Sequence, residues 1–152
     1  MRLTIACVGR LRAGPALDLY RDYIDRLPWP VSLKEVEERK PLSAPERVDR
    51  EAALLRQAIP DRARLVALDE TGKQLGSTDF ARRLGRWIDD GASDLAFLIG
   101  GADGLAPDLR KQADLLLSLG LMTWPHLLVR GMLAEQLYRA SSILAGHPYH
   151  RG

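Results

Sequence analysis

The last segment of this chain gathers the side chains that could do chemistry. All three histidines, His126, His147 and His150, lie there beside Arg130, Arg139 and Arg151. The terminal run HPYHRG sets a phenol, an imidazole and a guanidinium on consecutive residues: Tyr149, His150 and Arg151. An imidazole titrates near neutrality and suits proton transfer, whereas a guanidinium stabilises an anion or binds a phosphate. Such a run can also be an ordinary frayed end, but its density of aromatic and titratable groups favours function. Glu135 and Arg139 stand four residues apart on a helical pattern, where a surface ion pair competes with separate functional roles. His147 and His150 make no metal set, because no cysteine is near and Pro148 prevents a regular helix between them.

The second signal is LIGGADGL, glycines at the end of an apolar run. In open α/β sheets that position marks a ligand crevice, although it can equally be a tight strand-to-helix turn. Gly100, Gly101 and Gly104 do not have the spacing of a dinucleotide fingerprint. Gly72-Lys73 is followed by Gln74 and lacks the upstream glycine of a phosphate loop. No G-x-S-x-G elbow is present.

The elements that must carry these groups alternate along the chain. LTIACVG (3–9) reads as a buried strand, and Pro15 to Leu27 has apolar residues at helical spacing. PWP stops that helix. VSLKEVEE reads as an edge strand, and Ser43-Ala44-Pro45-Glu46 has the form of a capping box opening a helix to Ala58. RLVALDE is a strand from which ETGK turns away, and Ser77 or Thr78 caps a helix running through Trp87. DLAFLIGG is a buried strand, followed by a short helix from Pro107, the run LLLSLGLMT, and a helix from His126 to Ala145. Strands alternating with helices imply an α/β fold with a mostly parallel sheet, one domain over 1–152.

Composition narrows the class. The chain has 152 residues, 46% hydrophobic and 28% charged, with a net charge of +2, which fits a folded domain and excludes a disordered one. The balanced charge neither demands nor excludes a polyanionic partner. No apolar run reaches bilayer length, and the apolar centre of MRLTIACVGRLRAG is too short for a signal peptide. A lone Cys7 excludes an internal disulfide and fits a reducing cytosol, and its apolar setting marks it as a buried, inert thiol. A cytoplasmic protein with no membrane partner is expected.

The order LDETGK, LIGGADGL, LMTWPHLLVRGMLAEQLYRA, HPYHRG resembles the RlmH family of the SPOUT methyltransferase superfamily. Members of that family methylate N3 of a pseudouridine in 23S ribosomal RNA. The likeness spans the chain and is strongest from Val66 onward. Ala102-Asp103 stands where many members have Pro-Glu, and Leu127 where they have a second proline. The resemblance implies a C-terminal trefoil knot that holds S-adenosylmethionine, and a homodimer paired across it. It places Leu68, Gly101 and the segment Gly120, Leu121, Met122, Thr123, Trp124 and Pro125 at the cofactor. Gly101, Gly120 and Pro125 would admit main chain close to adenine, and Leu68, Leu121, Met122 and Trp124 would form an apolar wall. A valine at Gly101 is then expected to abolish cofactor binding and leave the fold intact.

N3 of a pseudouridine is mostly protonated at neutral pH, so its methylation needs a proton acceptor or a cation stabilising the deprotonated base. On the resemblance, His150 would be the base and Arg151 the cation, with Tyr149 closing over the target once RNA orders the tail. Arg130 and Arg139 would hold RNA backbone, with Arg130 and Glu135 carrying the chemistry if the tail does not. The stripe Leu133, Leu137, Ala140, Leu144 is the expected dimer face, unless it is core. Two rival readings stand: a methyltransferase for another RNA base, and a ribosome-assembly factor that has lost its cofactor.

Overall fold

The computed structural model describes residues 1–151; Gly152, the last residue of HPYHRG, lies outside the described residues. The strands are β1 (Arg2–Val8), β2 (Val31–Val36), β3 (Arg64–Gln74), β4 (Asp94–Ile99) and β5 (Leu115–Ser118). The helices are α1 (Pro15–Ile24), α2 (Ala44–Ala58), α3 (Ser77–Asp89), α4 (Pro107–Gln112) and α5 (His126–Leu144). The strands pair in parallel in the order β2-β1-β4-β3-β5. As expected from its alternation, β2 is an edge strand.

Side-chain alternation sorts the sheet into two faces. Leu3, Ile5, Val66, Phe97 and Leu117 point to one face and meet Phe80, Leu84 and Trp87 of α3 and Leu133, Leu137 and Ala140 of α5. Ala6, Ala67, Ala96 and Leu98 point to the other and meet Leu55 of α2 and Leu109 of α4. Cys7 is buried in the first cluster, and burial pushes its thiol up to about 12, so it is inert near neutrality. Leu133, Leu137 and Ala140 are therefore core of their own chain. The stripe expected to form a dimer face does not reach the surface, except for Leu144 at its end.

Two local expectations need correction. β3 continues through Glu70-Thr71-Gly72-Lys73 instead of turning out, because it bulges and rejoins β5. The N-cap of α3 is Gly76, and Ser77 Oγ donates instead to Gln136 Oε1 at 2.7 Å. The Ser43–Glu46 capping box is present with both of its hydrogen bonds. Among the described residues no helix is long and apolar enough to cross a membrane.

Arg130 decides how α5 lies on the sheet. Its side chain is 0% exposed. Nη1 donates to Glu35 Oε2 at 2.6 Å, and Nη2 donates to the carbonyls of Gly9 at 2.7 Å and Val8 at 3.1 Å. Glu35 also accepts from the Leu11 amide, so the loop after β1 closes around the same carboxylate. One guanidinium thus ties α5 to the ends of β1 and β2. The expectation that Arg130 faces RNA, or carries chemistry, is overturned by this burial. Arg130→Met would leave the Glu35 carboxylate without its counter-ion and take a donor from two carbonyls. Because Glu35 keeps some solvent, the expected cost is the low end of the range for a broken buried pair, about 3 kcal/mol. Urea unfolding would measure it, and a midpoint like that of the unaltered protein would show that α5 is held by packing alone.

Candidate active site

Three chain segments, one within β3 and one after each of β4 and β5, line one cavity. The first is a bulge. Leu68 and Lys73 both lie opposite Leu117, so the four residues between them are extruded from the ladder. Asp69, Glu70 and Thr71 line the cavity, with the Asp69 carboxylate accepting from the Thr71 amide at 2.9 Å. Gly72 returns the chain to β5. A Cβ there would lie 2.6 Å from the Leu116 carbonyl, so only glycine fits.

The second segment is a tight turn after β4. Gly104 donates to the Gly101 carbonyl at 3.0 Å with its own φ at +77°, in the left-handed region. A Cβ on Gly100 would come within 2.7 Å of Gly104 main chain. On Gly101 it would meet Val8 Cγ1 at 3.0 Å and Glu51 Oε2 at 3.1 Å. A valine at Gly101 would therefore strain the protein interior, and the expectation that it spares the fold is withdrawn. The third segment runs from Leu119 to His126. The Gly120 amide donates to Ser118 Oγ at 3.1 Å, and Ser118 Oγ donates to the Gly120 carbonyl at 2.9 Å.

The cavity measures about 810 Å³, within the range of small-molecule sites. Leu68, Gly101, Gly120, Met122, Thr123, Trp124 and Pro125 all line it. Leu121 does not; it is 84% exposed. Sequence reasoning missed the charged rim: Asp69, Glu70 and Asp103 with Arg110, and His126 beside them. The acids of LVALDE were visible at a strand end, but only the bulge turns them inward. Arg47 lies 3.7 Å from Asp103, and behind the turn Glu51 is only 5% exposed. Burial and the neighbouring Asp103 charge raise the Glu51 carboxyl above the usual range.

The tail lies elsewhere. Tyr149 packs edge-on against Tyr138 at 4.7 Å between ring centres and donates its hydroxyl to Glu135 at 3.1 Å. Arg139 Nε donates to the same carboxylate at 2.9 Å, and the guanidinium stands 4.9 Å over the Tyr149 ring. The Glu135–Arg139 ion pair is thus made. Arg139 Nη1 lies 3.2 Å from His150 Nδ1. A guanidinium only donates, so Nδ1 accepts here and Nε2 carries the ring hydrogen. Burial, the Tyr23 hydroxyl and the Glu135 charge hold the Tyr149 phenol well above its ordinary range, so it serves as a donor. Arg151 is exposed. The expectation of a tail ordered only by RNA gives way to one already docked along α5. At a rise of about 1.5 Å per residue, His126 at the cavity and Arg139 at the tail are about 20 Å apart along the helix. Within one chain the two sets of residues do not meet.

His126 offers a test of the cavity's electrostatics. Burial, and behind it the Arg130 charge, hold its imidazole below the ordinary histidine range. As pH falls the unfolded chain takes up this proton first. The stability resting on the neutral ring is complete above the ordinary histidine pKa and is lost as pH drops toward the lower folded value. In His126→Gln the drop in urea midpoint between about pH 7.5 and about pH 5.5 is expected to shrink. An undiminished drop would assign the acid sensitivity to other groups.

Comparison with known proteins bears on this geometry. The family model described as "Predicted SPOUT methyltransferase" matches residues 1–150. A Rhodospirillum centenum protein named ribosomal RNA large subunit methyltransferase H is 62% identical over 151 residues, 99% of each chain. One of the same name from Paramagnetospirillum magneticum is 60% identical over 151 residues, again 99% of each. A probable methylase family protein from Haemophilus influenzae Rd KW20 shares the fold at a TM-score of 0.59 with 8% identity, covering 99% of this chain and 70% of that one. With the family match running from the first strand into the docked tail, the chain belongs to the SPOUT methyltransferase family.

Proposed function

We propose that this protein transfers the methyl group of S-adenosylmethionine to N3 of a pseudouridine in 23S ribosomal RNA. It acts as a cytoplasmic homodimer on assembled ribosomes, each chain a single domain. The observation that carries the reading is the cavity, with a glycine floor, an apolar wall and an acidic rim. Close packing at Gly101 and the left-handed φ of Gly104 keep side chains off those two positions and leave main chain as the surface presented to a ligand, which suits a flat adenine edge. Leu68, Met122 and Trp124 supply apolar contact for a thioether. Asp69, Glu70 and Asp103 favour a cationic ligand and oppose a polyphosphate. The donor set fits S-adenosylmethionine, whose sulfonium supplies an electrophilic methyl group. The relatives named as ribosomal RNA large subunit methyltransferases support the choice of acceptor.

The chain's own work is to align acceptor and methyl, exclude water and dispose of the N3 proton. The tail must then leave its own α5 or reach the cavity of a second copy. The separation along α5 supports the second route. So do Leu121 and Met122, both large, apolar and exposed beside the cavity, and an apolar groove of about 560 Å³ between α1, α3 and α5. In the docked arrangement His150 presents Nε2–H, a donor suited to a carbonyl oxygen of the target base. It becomes a proton acceptor only when Nδ1 is freed from Arg139. Arg151 supplies the cation, and Glu135 holds Tyr149 and Arg139 in place. The trefoil knot belongs to the same reading and is supported by family membership.

Mass spectrometry of ribosomal RNA from cells with and without the gene tests the function. One methyl group on one 23S pseudouridine is expected to vanish and to return when ribosomes are incubated with the protein and S-adenosylmethionine. A methyl lost from another base, or none lost, overturns the assignment. Removing residues 149–152 should lower turnover on the order of a hundredfold, the scale of a lost proton-transfer group, with cofactor affinity nearly unchanged. Mixing this truncated chain with a cavity-blocked Leu68→Trp chain should restore part of the activity if the tail acts on a second copy. No recovery in mixed dimers would place tail and cavity in one chain.

A further inference from the structure

We infer that Arg110 is the receptor for the carboxylate at the amino-acid end of the bound methyl donor, with Asp69 beside it for the ammonium. The inference rests on the cofactor reading above and deepens it. Arg110 belongs to α4, anchored by the fully buried Leu109 next to it, and its side chain lines the cavity. Among the described residues its guanidinium donates no hydrogen bond; only the Arg110 main-chain amide does, to the Ala106 carbonyl. Its Nε is buried without a partner. Its one charge contact, from Nη1 to Asp69 Oδ2, is 3.6 Å long, beyond hydrogen-bonding range. Arg130 makes the contrast: its Nε is also unpartnered, yet its two terminal nitrogens serve three acceptors. A guanidinium held in a cavity with all its donors unspent is an open seat for a planar oxyanion.

The surroundings say which oxyanion. Asp69, Glu70 and Asp103 share the cavity with Arg110, so its field opposes a polyanion such as an RNA phosphate strand. An α-amino acid carries its carboxylate and ammonium on one carbon. The adjacent pair of Arg110 and Asp69, 3.6 Å apart, carries the complementary charges. The second Asp69 oxygen is already committed to the Thr71 amide, which fixes the carboxylate's orientation. A zwitterionic end group satisfies both residues at once.

Calorimetry with two nucleosides isolates the carboxylate. S-Adenosylhomocysteine carries the whole amino-acid end, whereas S-adenosyl-3-thiopropylamine lacks only the carboxylate and keeps the ammonium. The unaltered protein should bind the first roughly 10- to 100-fold more tightly, the scale of a charge-assisted, two-point contact. In Arg110→Met the preference should collapse to about threefold or less, through weaker binding of S-adenosylhomocysteine alone. Arg110→Lys should retain part of it as a point charge. Arg110→Gln takes the place of the methionine variant if that one does not fold. A preference that persists in Arg110→Met, or is missing in the unaltered protein, overturns the inference while leaving the cofactor reading intact. So does an Arg110→Met protein that loses ribosome affinity and keeps its nucleoside preference. If neither nucleoside binds the unaltered protein, the cofactor reading fails and the inference with it.

Discussion

The buried guanidinium of Arg130 is the constraint on which the remaining geometry depends. A charge with no solvent exposure is tolerable only where its donors find acceptors, and here they are one carboxylate and two carbonyls at the strand ends. Those acceptors exist only when β1, β2 and the Gly9–Gly14 loop are in place. The helix can therefore settle in one rotation and one axial position. That position puts His126 at the cavity and Glu135 and Arg139 at the far end, under the tail. The same charge also helps keep the His126 ring neutral. A single interior contact thus sets the orientation of both functional ends of α5.

Much of this was legible, and the misreadings have physical causes. Apolar runs and punctuation located four strands and five helices, with β5 lying inside the unassigned run LLLSLGLMT, and the capping box at Ser43 needed nothing beyond its local spacing. Arg130 and Arg139 were harder, being the same residue type on the same helix. At about 100° per residue the nine steps from one to the other turn the helix by a half-integral number of turns, so they face opposite sides. Arg130 falls in phase with Leu133, Leu137 and Ala140, which is the signal that would have placed it inside. That same phase identifies the stripe as core. The continuation of β3 was hidden because Asp-Glu-Thr-Gly reads as a turn locally, and only pairing with β5 makes it a bulge. Asp69, Glu70 and Arg110 become neighbours through that bulge, which no spacing along the chain announces.

The cavity separates two kinds of recognition. Its floor is main chain, imposed at Gly101 by close packing against Val8 and Glu51 and at Gly104 by a left-handed φ. Its rim is charge, imposed by side chains on three different segments. Shape selectivity resides in the first and charge selectivity in the second. Ala102-Asp103 falls on the rim, where the short acid contributes its charge with Arg47 3.7 Å away.

The main-chain floor bears on how the site would respond to an inhibitor. Resistance usually arises when a side chain lining a pocket is exchanged for one that expels the drug and spares the natural ligand. Against a compound that rests on the turn from Gly100 to Gly104, that route is narrow. A new side chain at Gly100 would collide with main chain at 2.7 Å, and one at Gly104 would be strained by its φ of +77°. Either change would disturb the surface that the natural ligand shares. Escape would have to come from the rim or from the apolar wall of Leu68, Met122 and Trp124, so a molecule that draws its contacts from the turn offers selection less to act on.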